Sequence, residues 1–120
     1  MDAEDLADDT FVAAAPAVVA RAVADLARWP LWWPDLTLTV TRDRGRRGVQ
    51  WQVAGALTGS AEIWLEPFGD GTVVHFYLRA GLSDPARSAR AQSWKQSVHA
   101  LKDELEAGRE PGTAARRSRW

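Results

Sequence analysis

The sequence contains no cysteine, only two histidines and no long apolar run. The lack of cysteine excludes disulfides, thiol catalysis, thiolate metal sites and iron–sulfur clusters. The longest apolar stretch, residues 11–20, is too short and too rich in alanine to span a membrane. Residues 1–5 are acidic, whereas a secretory signal begins with a basic region. We therefore expect a cytoplasmic protein without stable membrane insertion.

An excess of either charge is also missing, because 15 basic residues stand against 16 acidic ones in 120 residues. This balance excludes a surface built for nucleic acid. The apolar fraction of 46% is sufficient for the core of one globular domain. Residues 1–9 carry five acids and predict an acidic disordered tail, and the Arg-rich residues 109–120 predict a second one. The domain itself is expected to span residues 10–108.

The first part of that domain predicts one strand and two helices. Residues 10–15 form a short candidate strand. Pro16 suits the first turn of a helix, and apolar residues at three- and four-residue spacing extend this helix to residue 27. Pro30 and Pro34 then allow only one short turn of helix around the tryptophans between them.

Strands dominate the middle of the chain. Apolar and polar residues alternate over four segments, which are residues 36–41, 49–53, 61–66 and 74–79. Such alternation is typical of strands with one covered face, and the short turn-rich links between the segments favour an antiparallel meander.

The pattern changes to a helical period near Pro85. Asp84 is the expected N-cap of this last helix, over residues 85–107. The helix is the only element large enough to cover the apolar face of the sheet. We expect its most buried residues to be Trp94, Val98 and Leu101.

The sequence leaves two registers open between the third and fourth strands. A three-residue loop at residues 58–60 pairs Val53 with Leu65 and places Glu62 on the outer face. A two-residue turn instead places Glu62 inside, as a candidate acid or base. We favour the first register, because it also matches Ile63 with Phe76 across the next hairpin.

Several motifs resemble a known superfamily. They are Trp29-Pro30-Leu31-Trp32-Trp33-Pro34 before a threonine-rich strand, Gly48-Val49-Gln50-Trp51, Glu66-Pro67 before Gly69-Asp70-Gly71-Thr72, and a last helix ending Leu101-Lys102-Asp103-Glu104-Leu105. Residues 10–107 resemble the START-like helix-grip (SRPBCC) superfamily, and within it the bacterial polyketide cyclase/dehydrase-like group. The resemblance implies an α+β fold, in which a curved antiparallel sheet wraps around a long C-terminal helix. Such sheets have six or seven strands, and the five predicted here imply a smaller cavity or one open at an end.

Seven tryptophans are the strongest anomaly of composition. Aromatic walls suit flat or apolar ligands, but the same side chains also serve as bulky core filler. The resemblance places a pocket between the sheet and the last helix, entered near the Trp29–Pro34 segment. The candidate ligand-binding residues are Trp29, Trp32, Trp33, Val40, Trp51, Val53, Ile63, Phe76, Trp94 and Val98.

Other chemistry has little support. His75 and His99 lack partners at metal-ligand spacing, so no metal site and no cofactor are expected, and no serine lies in a nucleophile motif. The cations at Arg42–Arg47 crowd one hairpin tip, where they could dock a protein partner or simply remain solvated.

Three functions follow as hypotheses. The first is the binding of a small hydrophobic molecule, lipid- or polyketide-like, without catalysis. The second is a protein-interaction module that uses the arginine tip or a sheet edge. The third is a cyclase or dehydratase enzyme, which needs an acid or base facing the cavity, and no inward position of the favoured register carries one.

Overall fold

A computed structural model describes residues 5–107. In chain order, the elements are β1 (Leu6–Val12), α1 (Pro16–Val23), α2 (Trp29–Trp32), β2 (Leu36–Asp43), a 3₁₀ turn (Gly45–Arg47), β3 (Gly48–Gly55), β4 (Gly59–Phe68), β5 (Gly71–Arg79) and α3 (Asp84–Glu106). The five strands form one open antiparallel sheet in the order β1-β5-β4-β3-β2. This arrangement confirms the predicted α+β helix-grip fold, with a five-stranded sheet and a long C-terminal helix.

The first strand begins earlier than predicted. β1 starts at Leu6, so residues 6–9 belong to the sheet and not to the predicted acidic tail. Leu6 is buried, and the carboxylate of Asp5 accepts hydrogen bonds from the backbone N–H groups of Ala80, Gly81 and Leu82. The acids at this end are thus used to fix the strand. Residues 1–4 of that tail, and the tail predicted over residues 109–120, lie outside the described residues.

Both long helices differ from prediction at one end. α1 stops at Val23, four residues before the expected end, and the indole Nε1 of Trp29 donates to the Val23 carbonyl at 2.8 Å. The N-cap of α3 is Ser83 rather than Asp84, because the Ser83 hydroxyl accepts from the N–H of Ala86. In each case one side-chain hydrogen bond stabilises the helix end at the observed position.

The favoured facing of β4 is confirmed, although the predicted pairing with β3 is wrong. Val53 lies opposite Gly59 rather than Leu65, so five residues separate this pair along the chain, and the first two of them, Ala54 and Gly55, continue β3 and pair with β2. The shift is by an even number of positions, so Ile63 and Leu65 remain on the inner face and are buried. The predicted match of Ile63 with Phe76 is present.

The last helix covers the sheet as predicted. Trp94, Val98 and Leu101 are its buried residues, whereas Lys95 and His99 are exposed. These three buried side chains belong to the same apolar core as the inner faces of the strands.

Candidate functional site

Aromatic rings fill the space between α3 and the sheet. Trp33 is nearly parallel to Phe76 and to Trp94, with ring centroids 5.8 and 6.1 Å apart, and Phe76 stacks on Trp94 at 4.2 Å. Trp51 meets Trp33 edge-on at 5.6 Å. Stacked and edge-to-face pairs at these distances are favourable contacts between aromatic rings. The rings therefore form a packed cluster.

Little room remains inside this cluster. The cavity between the sheet and α3 has a volume of about 10 Å³, which is enough for about one water molecule. Its lining residues are Trp33, Leu36, Leu38, Val53, Ala61, Phe76, Leu78 and Arg90. A ligand could enter the predicted interior site only if the aromatic rings moved apart.

The larger concave site lies elsewhere, between α1 and the β2–β3 hairpin. This α1–hairpin groove has a volume of about 560 Å³, and its apolar wall combines small residues of α1 with branched residues of the hairpin. The apolar lining residues are Ala17, Ala20, Val23, Ala24, Leu26, Trp29, Val40 and Val49. Alanine side chains on α1 leave the space open, because they do not reach the hairpin as longer side chains would.

Polar groups lie at the hairpin end of the groove. Arg21 from α1 and Arg46 from the 3₁₀ turn are exposed and line it, as does Asp43. The Asp43 carboxylate is occupied in the turn, where it accepts from the N–H of Gly45 at 2.8 Å. The groove therefore combines a long apolar wall with two cationic side chains.

Trp29 connects the groove with the core. It is buried, lines the groove, and meets Trp51 edge-on with ring centroids 5.1 Å apart. The indole N–H of Trp51 is buried and has no hydrogen-bond partner within residues 5–107. Leaving a buried donor unpaired costs about 1–3 kcal/mol, so this N–H is a potential donor behind the wall of the groove.

The ten predicted site residues are close together but do not share one pocket. Trp29 and Val40 line the α1–hairpin groove, and Val40 remains 43% exposed. Trp33, Val53 and Phe76 line the small interior cavity. The remaining five are buried in the core and line neither space; these are Trp32, Trp51, Ile63, Trp94 and Val98.

One inward carboxylate was missed because it lies in the segment predicted as a tail. Asp8 of β1 accepts from the Nε1 of Trp94 at 2.9 Å and lies 2.6 Å from the Nζ of Lys95. Burial alone raises the pKa of Asp8, but hydrogen bonds from Lys95, Trp94 and Thr10 outweigh it and lower the pKa below its usual value. Asp8 is therefore held as a paired anion and is poorly suited to donate a proton.

His75 has a structural position on the outer face of the sheet. Its Nδ1 lies 2.6 Å from Asp9 and its Nε2 lies 2.9 Å from Glu66, while its ring stacks on Trp64 at 4.4 Å. No group of three or more His, Asp or Glu residues within residues 5–107 could hold a metal ion. No helix in that part of the chain is long and apolar enough to cross a membrane.

At the arginine tip, Arg42–Arg47, one of the four arginines forms an ion pair within the described residues. Arg44 lies 3.6 Å from Glu62 on the outer face, where the register of β4 places Glu62. Arg42, Arg46 and Arg47 are exposed. The tip therefore retains three exposed cations in this part of the chain.

Solved structures share this architecture. The Aha1 dimer from Colwellia psychrerythraea matches with a TM-score of 0.71 and 20% identity, over 88% of this chain and 98% of that chain. CalU16 from Micromonospora echinospora matches with a TM-score of 0.71 and 14% identity, over 93% and 81% of the two chains. The chain has the START-like helix-grip fold.

A third START-like match is DynU16, a protein in the dynemicin biosynthetic locus. Its TM-score is 0.68 at 17% identity, over 86% of this chain and 47% of that one. No protein-family model matches the sequence, and no curated protein matches it significantly. At these identities the likeness establishes the START-like fold that the motifs predicted.

Proposed function

We propose that this START-like domain binds a small hydrophobic molecule in the α1–hairpin groove. The observation that carries the proposal is the groove itself, with about 560 Å³ of space beside an apolar wall. Ligand pockets for small molecules commonly have volumes of about 300–1,000 Å³ and are lined mainly by apolar side chains. Trp29 offers a ligand part of a large rigid surface, as the tryptophan-rich sequence predicts.

The chemistry of the groove favours an elongated or flat apolar molecule. The alanines of α1 can contact aliphatic chains or ring faces closely, and Arg21 and Arg46 can meet a polar end. DynU16, one of the similar structures, is a protein in the dynemicin biosynthetic locus, so biosynthetic products belong in the first panel of ligands, together with polycyclic aromatics that suit a flat apolar wall. Fatty acids and quinones complete that panel.

Binding without catalysis is better supported than an enzyme of cyclase or dehydratase type. A general acid or base must be able to exchange a proton with the substrate. Asp8 is the carboxylate that reaches α3 from the inner side of the sheet, and it is paired with Lys95 and Trp94. It also lies on β1, outside the groove. The carboxylate that lines the groove, Asp43, accepts a hydrogen bond from the N–H of Gly45.

A matched pair of variants tests the location of the site. Ala24→Phe puts a large ring into the groove, whereas Ala27→Phe puts the same ring on an exposed position outside it. Each protein is titrated with the panel, and intrinsic tryptophan fluorescence and melting temperature are followed. A ligand that binds only the folded state raises the melting temperature.

We expect at least one class of ligand to bind the wild type and the Ala27→Phe variant similarly. For Ala24→Phe we expect a loss of affinity of about tenfold or more, because the added ring occupies the apolar wall. Equal binding by both variants would place the ligand in the interior site instead. No response from any protein would contradict the proposal and favour the interaction module.

A further inference from the structure

The two edge strands of the open sheet differ in how far other parts of the chain cover them. At the β1 edge, α3 supplies side chains to the strand and its continuation: the Nζ of Lys102 donates to the Phe11 carbonyl at 2.8 Å, and Glu106 accepts from the N–H of Ala13 at 2.7 Å. Lys95 adds a contact with the hydroxyl of Thr10. The contacts of Lys102 and Glu106 occupy backbone groups with which another strand could pair.

The β2 edge has no such cover. Residues 36–41 contain neither a charge nor a proline, and within residues 5–107 no side chain bonds to their backbone. The bulge between Val40 and Arg42 and the charges of Arg42 and Asp43 protect only the far end of the strand. Natural proteins rarely leave an uncharged edge strand of this length uncovered.

Self-pairing of β2 has one favourable register. In a symmetric antiparallel pair, residues that lie opposite each other point to the same face of the sheet. Centring the pair on Leu38 puts Leu38 against its own copy and Leu36 against Val40 on the inner face. On the outer face it puts Thr37 against Thr39. Every opposed pair within residues 36–40 is therefore matched in polarity.

The neighbouring symmetric registers are worse. Centring on Thr39 places Asp35 directly opposite Asp43, and like charges in opposed positions are destabilising. Centring on Thr37 brings Pro34 opposite Val40, inside the paired region, where proline cannot donate a hydrogen bond. Charge and proline positions thus select the register centred on Leu38.

We propose that the partner of the β2 edge is a second copy of this chain, paired antiparallel about Leu38 to make one continuous ten-stranded sheet. Val40, which is 43% exposed, then packs against Leu36 of the other copy. A six-residue strand is a small interface, so the dimer is expected to be weak and dependent on concentration. Val40 lies at the border of this surface and the α1–hairpin groove, whereas Thr37 and Thr39 lie outside the groove.

The test uses charges at two exposed positions that the proposed register brings together. In Thr37→Lys/Thr39→Lys, each new lysine lies opposite a lysine of the other copy. In Thr37→Lys/Thr39→Glu, each lysine lies opposite a glutamate, although both variants change the same two side chains. Sedimentation velocity at low ionic strength, from micromolar to near-millimolar protein, measures the association of each variant and of the wild type. Equal melting temperatures at low protein concentration show that the monomer is intact.

We expect the wild type to dimerise, and the Lys/Glu variant to dimerise with an affinity equal to or higher than that of the wild type. The dimerisation affinity of the Lys/Lys variant should be at least about tenfold lower than that of the Lys/Glu variant. Mixing Lys/Lys with Thr37→Glu/Thr39→Glu should restore a dimer. A wild type that stays monomeric throughout would overturn the proposal. Equal association of the Lys/Lys and Lys/Glu variants would overturn it as well, because the contact would then lie elsewhere.

Discussion

The buried indole of Trp94 donates a hydrogen bond of 2.9 Å to the carboxylate of Asp8, which ties the centre of α3 to the first strand. The same carboxylate also accepts from Lys95 and Thr10. Because Trp94 stacks on Phe76 and Trp33, this one acid helps to orient the aromatic cluster that fills the domain. It is therefore a natural target for the first stability experiment.

Replacing Asp8 by alanine should destabilise the domain by about 2 kcal/mol, because the buried Trp94 N–H loses its acceptor. Urea unfolding followed by circular dichroism measures the change. Asp103→Ala, at an exposed acid on α3, serves as the control and should change the free energy of unfolding by less than about 0.5 kcal/mol. Equal effects of the two variants would show that the Asp8 contacts contribute nothing specific.

The domain should lose stability in acid. The pKa of Asp8 is lowered by its hydrogen bonds despite its burial, and the hydrogen bonds from Arg90 lower the pKa of Asp35. A carboxylate with a lowered pKa in the folded state stabilises that state above its unfolded pKa, and the contribution disappears as the pH falls through the folded pKa.

Unfolding midpoints should accordingly be constant near neutral pH and fall below about pH 4. Asp8→Asn, which cannot ionise, should be less stable at neutral pH and should show a shallower decline in acid. Parallel decline of the variant and the wild type would mean that Asp8 does not take part.

Leu101→Ala should cost about 2–5 kcal/mol, since Leu101 is fully buried under the sheet and the truncation leaves a cavity. The same change at Leu31, which is 80% exposed on α2, provides the matched control and should cost less than about 0.5 kcal/mol. Thermal and urea denaturation of both variants measure the difference. A small effect at Leu101 would show that α3 packs loosely on the sheet.

Gly48→Ala should be far more damaging than Gly69→Ala. Both glycines have positive φ angles, +117° and +58°, so alanine is strained at either position. At Gly48, however, a methyl group would also collide with the Ile63 carbonyl of the adjacent strand, whereas Gly69 has open space. We expect Gly69→Ala to lower the free energy of unfolding by about 1 kcal/mol, and Gly48→Ala to lower it by clearly more. Similar melting temperatures for both would contradict this close approach of β3 and β4.

Local patterns were sufficient to predict most of the sheet. Alternation defined the inner faces of β3, β4 and β5, and the short Gly69–Gly71 turn fixed the pairing of Ile63 with Phe76. The connection between Val53 and Gly59 carries no comparable signal, because Ala54 and Gly55 continue β3 and stay paired with β2 after the pairing with β4 has ended. The predicted inner and outer faces of β4 are nevertheless correct. A shift of the β3–β4 register by an even number of residues leaves every side chain on the same face of the sheet.

Long-range contacts explain what local patterns could not predict. The acids around Asp5 and Asp8 look solvated in the sequence, yet their partners lie on α3 and around Ala80, more than 70 residues away. Trp51, Phe76 and Trp94 were predicted to face the interior and are buried there, but the stacking of Trp33 on Phe76 and Trp94 depends on how the segment after α2 meets α3. Small residues leave the groove open, and the signal in the sequence was the alanines at positions 17 and 20 of α1 and at its C-cap, position 24.

The pairing of the first strand with the last has a consequence for biosynthesis. β2, β3, β4 and β5 follow one another both in the chain and in the sheet, so each can pair with the strand before it as it leaves the ribosome. β1 leaves the ribosome first, but its partners are made last. Leu6 can pair with Leu78, and Asp8 can accept the hydrogen bond of Trp94, only after those residues have been synthesised. The nascent chain therefore carries an unpaired N-terminal strand until nearly the whole domain has been made, and contacts so distant in sequence form slowly. A chaperone that holds this strand during translation would act on the step that closes the sheet.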